Sequence, residues 1–95
     1  MIDWRKLADI CERYICNRLD QAGLVSEMDQ FFIGCRNNWP SNSEAWYPIM
    51  AFAQQLTGRA RAARTEQLPM GFFDSIQQLH GLVLELINSL HEPNT

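Results

Sequence analysis

GFFDSIQQLHGLVLELINSL, residues 71–90, decides the fold. At about 100° per residue, Phe72, Phe73, Ile76, Leu79, Leu82, Val83, Leu84, Leu86, Ile87 and Leu90 cover more than half of a helical circumference. Gln77, Gln78, Gly81, Glu85 and Asn88 remain outside that arc. Pro69 suits the first turn of a helix over this stretch, and Pro93 ends it after about His91. An arc this wide has two physical solutions: the helix is central in its own domain, or it shares its surplus face with another chain.

Three further helical patterns precede it. From Ile49 to about Ala63, the positions Ile49, Phe52, Ala53, Leu56, Ala60 and Ala63 form one apolar side, and the alanines let a neighbouring helix come close. Upstream, Ser41-Asn42-Ser43-Glu44 offers a capping box, but Pro48 would lie well inside a helix begun there, so a turn over 42–47 or a kink is expected. Ser26 with Glu27 and Asp29 reads as another helix start, and Met28, Phe31, Phe32, Cys35 and Trp39 repeat at helical spacing until Pro40. Asp3 caps the first helix, with Ile2 and Leu7 as its hydrophobic staple and Gly23 as its terminator, giving a helix over Trp4–Ala22. Its apolar side holds Trp4, Leu7, Ala8, Cys11, Tyr14, Ile15 and Leu19. No stretch alternates with period two, and no repeat is present. The expected architecture is an all-α, compact bundle of about four helices in a single domain, residues 1–95.

Composition narrows the function. Ninety-five residues hold little area for a second core. The 46% hydrophobic content and ten aromatics, three Trp, two Tyr and five Phe, mark a chain that folds. A net charge of −3 has the wrong sign for a general polyanion binder and is too mild for a nucleic-acid mimic. Cys11, Cys16 and Cys35 form no CxxC pair, so reduced thiols are expected, with Cys11 and Cys35 in the core. The start MIDWRKLADI has no signal-length apolar run, and no segment reaches about 18 apolar residues, so an unprocessed, cytoplasmic chain without a membrane span is expected.

Asp74-Ser75-Ile76 before an apolar helix resembles the attachment site of acyl and peptidyl carrier proteins. That resemblance covers about six residues and implies a phosphopantetheine arm on Ser75. Carrier proteins follow this serine with two more helices, whereas here twenty residues remain and one helix absorbs them. The residues themselves read as polar positions in the first turns of the last helix, where a carboxylate is favoured by the helix dipole.

Other candidates for chemistry dissolve on inspection. His80 and His91 are separated by eleven residues, about 16 Å along a helix, too far for one metal within a protomer. No cysteine has a base at local spacing, and Asp9 with Arg13 or Arg5 has the spacing of a surface ion pair. Arg59, Arg61 and Arg64 do not form a stripe, and they suit the carboxyl end of a helix better than a phosphate backbone. What remains points to a surface. Arg18 falls within the apolar arc of the first helix, where it must snorkel, pair with an acid or face a partner. Trp39, Trp46 and Tyr47 surround a loop, and aromatics with a polar handle anchor interfaces. The Leu84, Ile87 and His91 edge of the last helix is the surplus of its wide arc.

The sequence therefore points to a small non-enzymatic protein that binds another protein: an adaptor, chaperone-like subunit, immunity protein or inhibitor. Its partner-binding candidates are Arg18, Trp39, Trp46, Tyr47, Leu84, Ile87 and His91, with a homodimer through the last helix as one form of the interaction. No cofactor, metal or catalytic residue is expected. The alternatives are a carrier or ligand-binding domain, using Ser75 or a pocket among Phe31, Phe52, Phe72 and Phe73, and, more weakly, a nucleic-acid accessory protein.

Overall fold

A computed structural model describes residues 2–39, 44–63 and 71–91, with the side chain of His91 excepted. Helix α1 (Trp4–Ile15) begins where the Asp3 carboxylate accepts a hydrogen bond from the Lys6 N–H, and the staple residues Ile2 and Leu7 are both buried. It ends earlier than the sequence pattern suggested. Asn17 takes φ 61°, its N–H donates to the Tyr14 carbonyl, and the Arg18 N–H donates to the Arg13 carbonyl. This is a Schellman closure with asparagine in the left-handed position, the commonest substitute for glycine there.

The expected terminator, Gly23, sits instead in the first turn of α2 (Gln21–Gly34). Asp20 caps that helix by accepting from the Gly23 N–H at 2.7 Å, and a Cβ at Gly23 would come within 2.7 Å of the Leu19 side chain. Ser26 is thus interior to α2, not its start. A single 3-10 turn, Arg36–Asn38, follows and leaves Trp39 extended. Residues 44–46 form the turn before α3 (Tyr47–Ala63), which places Pro48 in the first helical turn, where its missing N–H costs nothing. The Ser41 to Ser43 part of the capping box and Pro69 lie outside the described residues. Gly71, at φ +90°, leads into α4 (Phe72–His91), and its carbonyl accepts from the Ser75 N–H.

The four helices pack in a ring, α1 on α2, α2 on α3, α3 on α4 and α4 back on α1. Helices α1 and α4 are antiparallel: Tyr14 near the end of α1 meets Phe72 at the start of α4, ring centroids 5.9 Å apart. Gln21 donates its side-chain N–H to the Ala60 carbonyl at 2.7 Å, which ties the start of α2 to the end of α3. The chain is an all-α bundle, and the described residues contain no strand.

Each helix contributes an inward row. Leu24, Met28, Phe31 and Cys35 from α2 and Phe72, Ile76, Leu79 and Val83 from α4 are buried at the same four-three-four spacing. Met50, Ala53, Leu56 and Ala60 close the core from α3, and the buried Thr57 hydroxyl donates to the Ala53 carbonyl. Helix α1 buries Leu7, Ala8 and Cys11, and also Ile10, which the sequence stripe omits; two flanking helices widen the arc that α1 buries. Burying a leucine-sized side chain stabilises by about 1.5–3 kcal/mol, so these rows hold the ring together. The wide arc of α4 divides: the row above is inside, Leu82, Leu86 and Ile87 are half-buried, and Phe73, Leu84 and Leu90 are exposed. Among the described residues, no helix is long and apolar enough to cross a membrane.

Candidate functional site

All three tryptophans converge at one end of the bundle. Trp4, Trp39 and Trp46 line a pocket of about 450 Å³ with Ile2, Asn38, Glu44 and Leu90. Antiparallel packing of α1 and α4 brings Leu90 beside Trp4, and the turn at 44–46 lays Trp46 edge-on against Trp4, centroids 5.3 Å apart and planes at 80°. The 3-10 turn delivers Trp39, whose ring meets Phe32 at 6.0 Å; Phe32 in turn meets the buried Phe31 at 5.9 Å. Two chains of aromatic contact therefore run from the core to the pocket wall and fix its rings. Leu90 is 62% exposed at the rim, and Glu44 is exposed, with no side-chain ion pair or hydrogen bond among the described residues.

Trp39 is also a wall of a second, shallower hollow of about 350 Å³, shared with Phe32, Ile33, Arg36 and Gln54. Ile33 there is 63% exposed. The surface from Leu90 across Trp39 to Ile33 thus has a large apolar content at two hollows of opposite charge, Glu44 in one and Arg36 in the other.

A third groove of about 320 Å³ lies between α1 and α4, with Ala8, Leu84 and Ile87 bordered by Arg5, Asp9, Glu12 and His80. Leu84 is 42% exposed, Ile87 half-buried, and the His91 side chain lies outside the described residues. The expected last-helix edge is a separate face from the tryptophan pocket, although both use α4.

Of the remaining sequence candidates, Tyr47 is half-buried as the first residue of α3, next to the pocket residue Trp46. Arg18 is not in a helical apolar arc, because α1 stops at Ile15; it is exposed in the α1–α2 connection. Of the phenylalanines expected around a ligand pocket, Phe31 and Phe72 are core, Phe52 is half-buried and Phe73 exposed. Ser75 is half-buried and Asp74 exposed in the first turns of α4.

Two arginines outside the pocket tie helices together. Arg61 holds the Asp29 carboxylate with two hydrogen bonds of 2.6 and 2.9 Å, which draw the aspartate's pKa below its ordinary value. Arg13 bridges Asp9 and Glu27 at 2.9 Å each, tying α1 to α2. Arg59 is exposed and Arg64 lies outside the described residues. Burial pushes the Cys11 thiol up to about 12 and raises Cys35 as well, so both are inert as nucleophiles at neutral pH. Among the described residues, no three His, Cys, Asp or Glu side chains are grouped to hold a metal.

Sequence reasoning found Trp39 and Trp46 but placed Trp4 only in the core and gave Glu44 and Leu90 no role at a site. No protein-family model, curated protein or solved structure matches the chain.

Proposed function

We propose that this chain is a small non-enzymatic, cytoplasmic interaction protein, an adaptor or inhibitor whose docking surface is the tryptophan pocket with its Leu90 rim. The observation that carries the reading is the convergence of Trp4, Trp39 and Trp46 on one open pocket. Trp4 is a core residue, but the core does not require Trp39 and Trp46 to stand half-exposed beside it at a solvent-facing cavity, and tryptophans in pockets dominate the energetics of protein interfaces. The exposed Leu90 and Ile33 extend the same surface on either side of Trp39.

The test is a comparison of immobilised wild type, Trp39→Ala and Gln77→Ala against the native cell lysate, after each is shown to melt cooperatively. Gln77 is exposed on α4 and lines none of the three hollows. A protein retained by wild type and Gln77→Ala and lost from Trp39→Ala supports the reading; identical capture by all three contradicts it.

A second reading is favoured by Leu84, an exposed leucine over a groove bordered by both signs of charge. Such a strip is suited to a twofold contact in which each copy offers the same surface, so the α4 edge is proposed as a homodimer face independent of the pocket.

A further inference from the structure

We infer that the tryptophan pocket receives an arginine side chain of the partner protein; this rests on the docking reading above and specifies what the pocket recognises. Three observations carry it. Trp4 and Trp46 stand at 80° to each other in edge contact, and Trp39 supplies a third ring; Trp4 is 7% exposed and backs the wall, so the indoles open to a ligand are those of the half-buried Trp39 and Trp46. An indole face attracts a cation more strongly than any other side-chain ring, and a planar guanidinium both stacks on it and bonds through its edge.

Glu44 is the only ionisable side chain among the described lining residues, so the charge those residues bring to the pocket is negative. Its carboxylate is exposed and has no side-chain partner among the described residues, which leaves both oxygens for a bidentate guanidinium contact. The second hollow that Trp39 lines carries Arg36, so charge complementarity directs a cation to the hollow that holds Glu44. A volume of about 450 Å³ is ample for a guanidinium with part of its methylene stem.

The experiment is an NMR titration of the intact protein, following the three indole N–H resonances, with acetyl-Gly-Arg-Gly-amide and with the same peptide carrying citrulline, the neutral isostere of arginine. Binding of a single side chain is weak, and titration to about 10 mM covers the range. The arginine peptide is expected to shift the Trp39 and Trp46 indoles and to bind about three- to tenfold more tightly than the citrulline peptide. Glu44→Gln, a surface change that leaves the fold intact, should remove most of that preference, and Trp39→Leu should weaken the arginine peptide to a similar degree. Equal binding of the two peptides, an undiminished preference in Glu44→Gln, or no indole shift at all overturns the arginine assignment. The docking reading fails separately, when the lysate comparison shows no protein lost from Trp39→Ala.

Discussion

Leu79→Ala and Leu84→Ala remove the same atoms from the same helix, five residues apart, and should differ severalfold in effect. Leu79 is 0% exposed in the middle of the inward row of α4, whereas Leu84 is 42% exposed. Truncating Leu79 withdraws three carbon groups from burial, about 2.4 kcal/mol at roughly 0.8 kcal/mol each. A residual cavity of some 40 Å³ adds about 1 kcal/mol, for a total of about 3–4 kcal/mol. Leu84 opens onto solvent, leaves no cavity and should cost about 1 kcal/mol or less. With a urea slope of about 1–1.5 kcal/mol/M, the Leu79 variant should lose roughly 2–4 M in midpoint and the Leu84 variant under about 1 M. Circular dichroism of both variants at one concentration reads this directly, and the concentration should be low enough to avoid dimers. Equal shifts would mean that α4 does not turn the Leu79 side inward, and the ring packing would be wrong.

Four other outcomes are expected. Asn17→Val should lose about 1 kcal/mol or more in urea denaturation while Asn17→Gly loses nothing, because only the left-handed conformation at Asn17 closes α1. The Asp29–Arg61 pair sets a pH dependence: the folded carboxyl titrates below its ordinary 3.8, so its stabilisation is complete above that value and disappears as pH falls through the folded value. Asp29→Asn should therefore be less stable than wild type at neutral pH and converge with it as pH falls below the folded value. In sedimentation at micromolar concentration the wild type should run as two chains and Leu84→Glu as one, since a charge in an apolar contact is strongly disfavoured; a monomeric wild type removes the dimer reading. Ser75→Ala should hold its urea midpoint within about 0.5 kcal/mol, and coexpression with a phosphopantetheinyl transferase should leave the wild-type mass unchanged; an added arm would restore the carrier reading.

Periodicity made the class and number of helices legible, because burial on one face imposes the 3.6-residue repeat wherever a helix forms. It failed at the α1–α2 junction. Cys11, Tyr14, Ile15 and Leu19 keep helical spacing through the break, and the signal that ends α1 is one asparagine whose left-handed backbone carries no mark in the apolar pattern. Asp20, a strong cap three residues later, was the available clue. Once α1 was drawn too long, Leu24 lost its place in α2 and Arg18 acquired an apolar setting that it does not have.

The site was legible only in part, for a different reason. Trp39 and Trp46 are close in the chain and mark their own loop, but Trp4 and Leu90 meet because α1 and α4 run antiparallel. That pairing is a property of the ring order of the bundle, which no local pattern encodes. Glu44 looked like a capping residue because its neighbours are serines and asparagine; its position at the pocket follows from the turn that leads into α3.

If another protein sits on the tryptophan end of the bundle, as proposed, residues at the pocket rim touch it and the polar side of α4 does not. A photo-crosslinking amino acid placed at position 90 at the pocket rim, and in a parallel strain at position 77 on the exposed polar side of α4, tests this inside the native cell. One discrete heavier adduct is expected from position 90, absent from position 77 and abolished by Trp39→Ala in the same chain. Adducts of equal yield from both positions, or an adduct from position 77 alone, would contradict it.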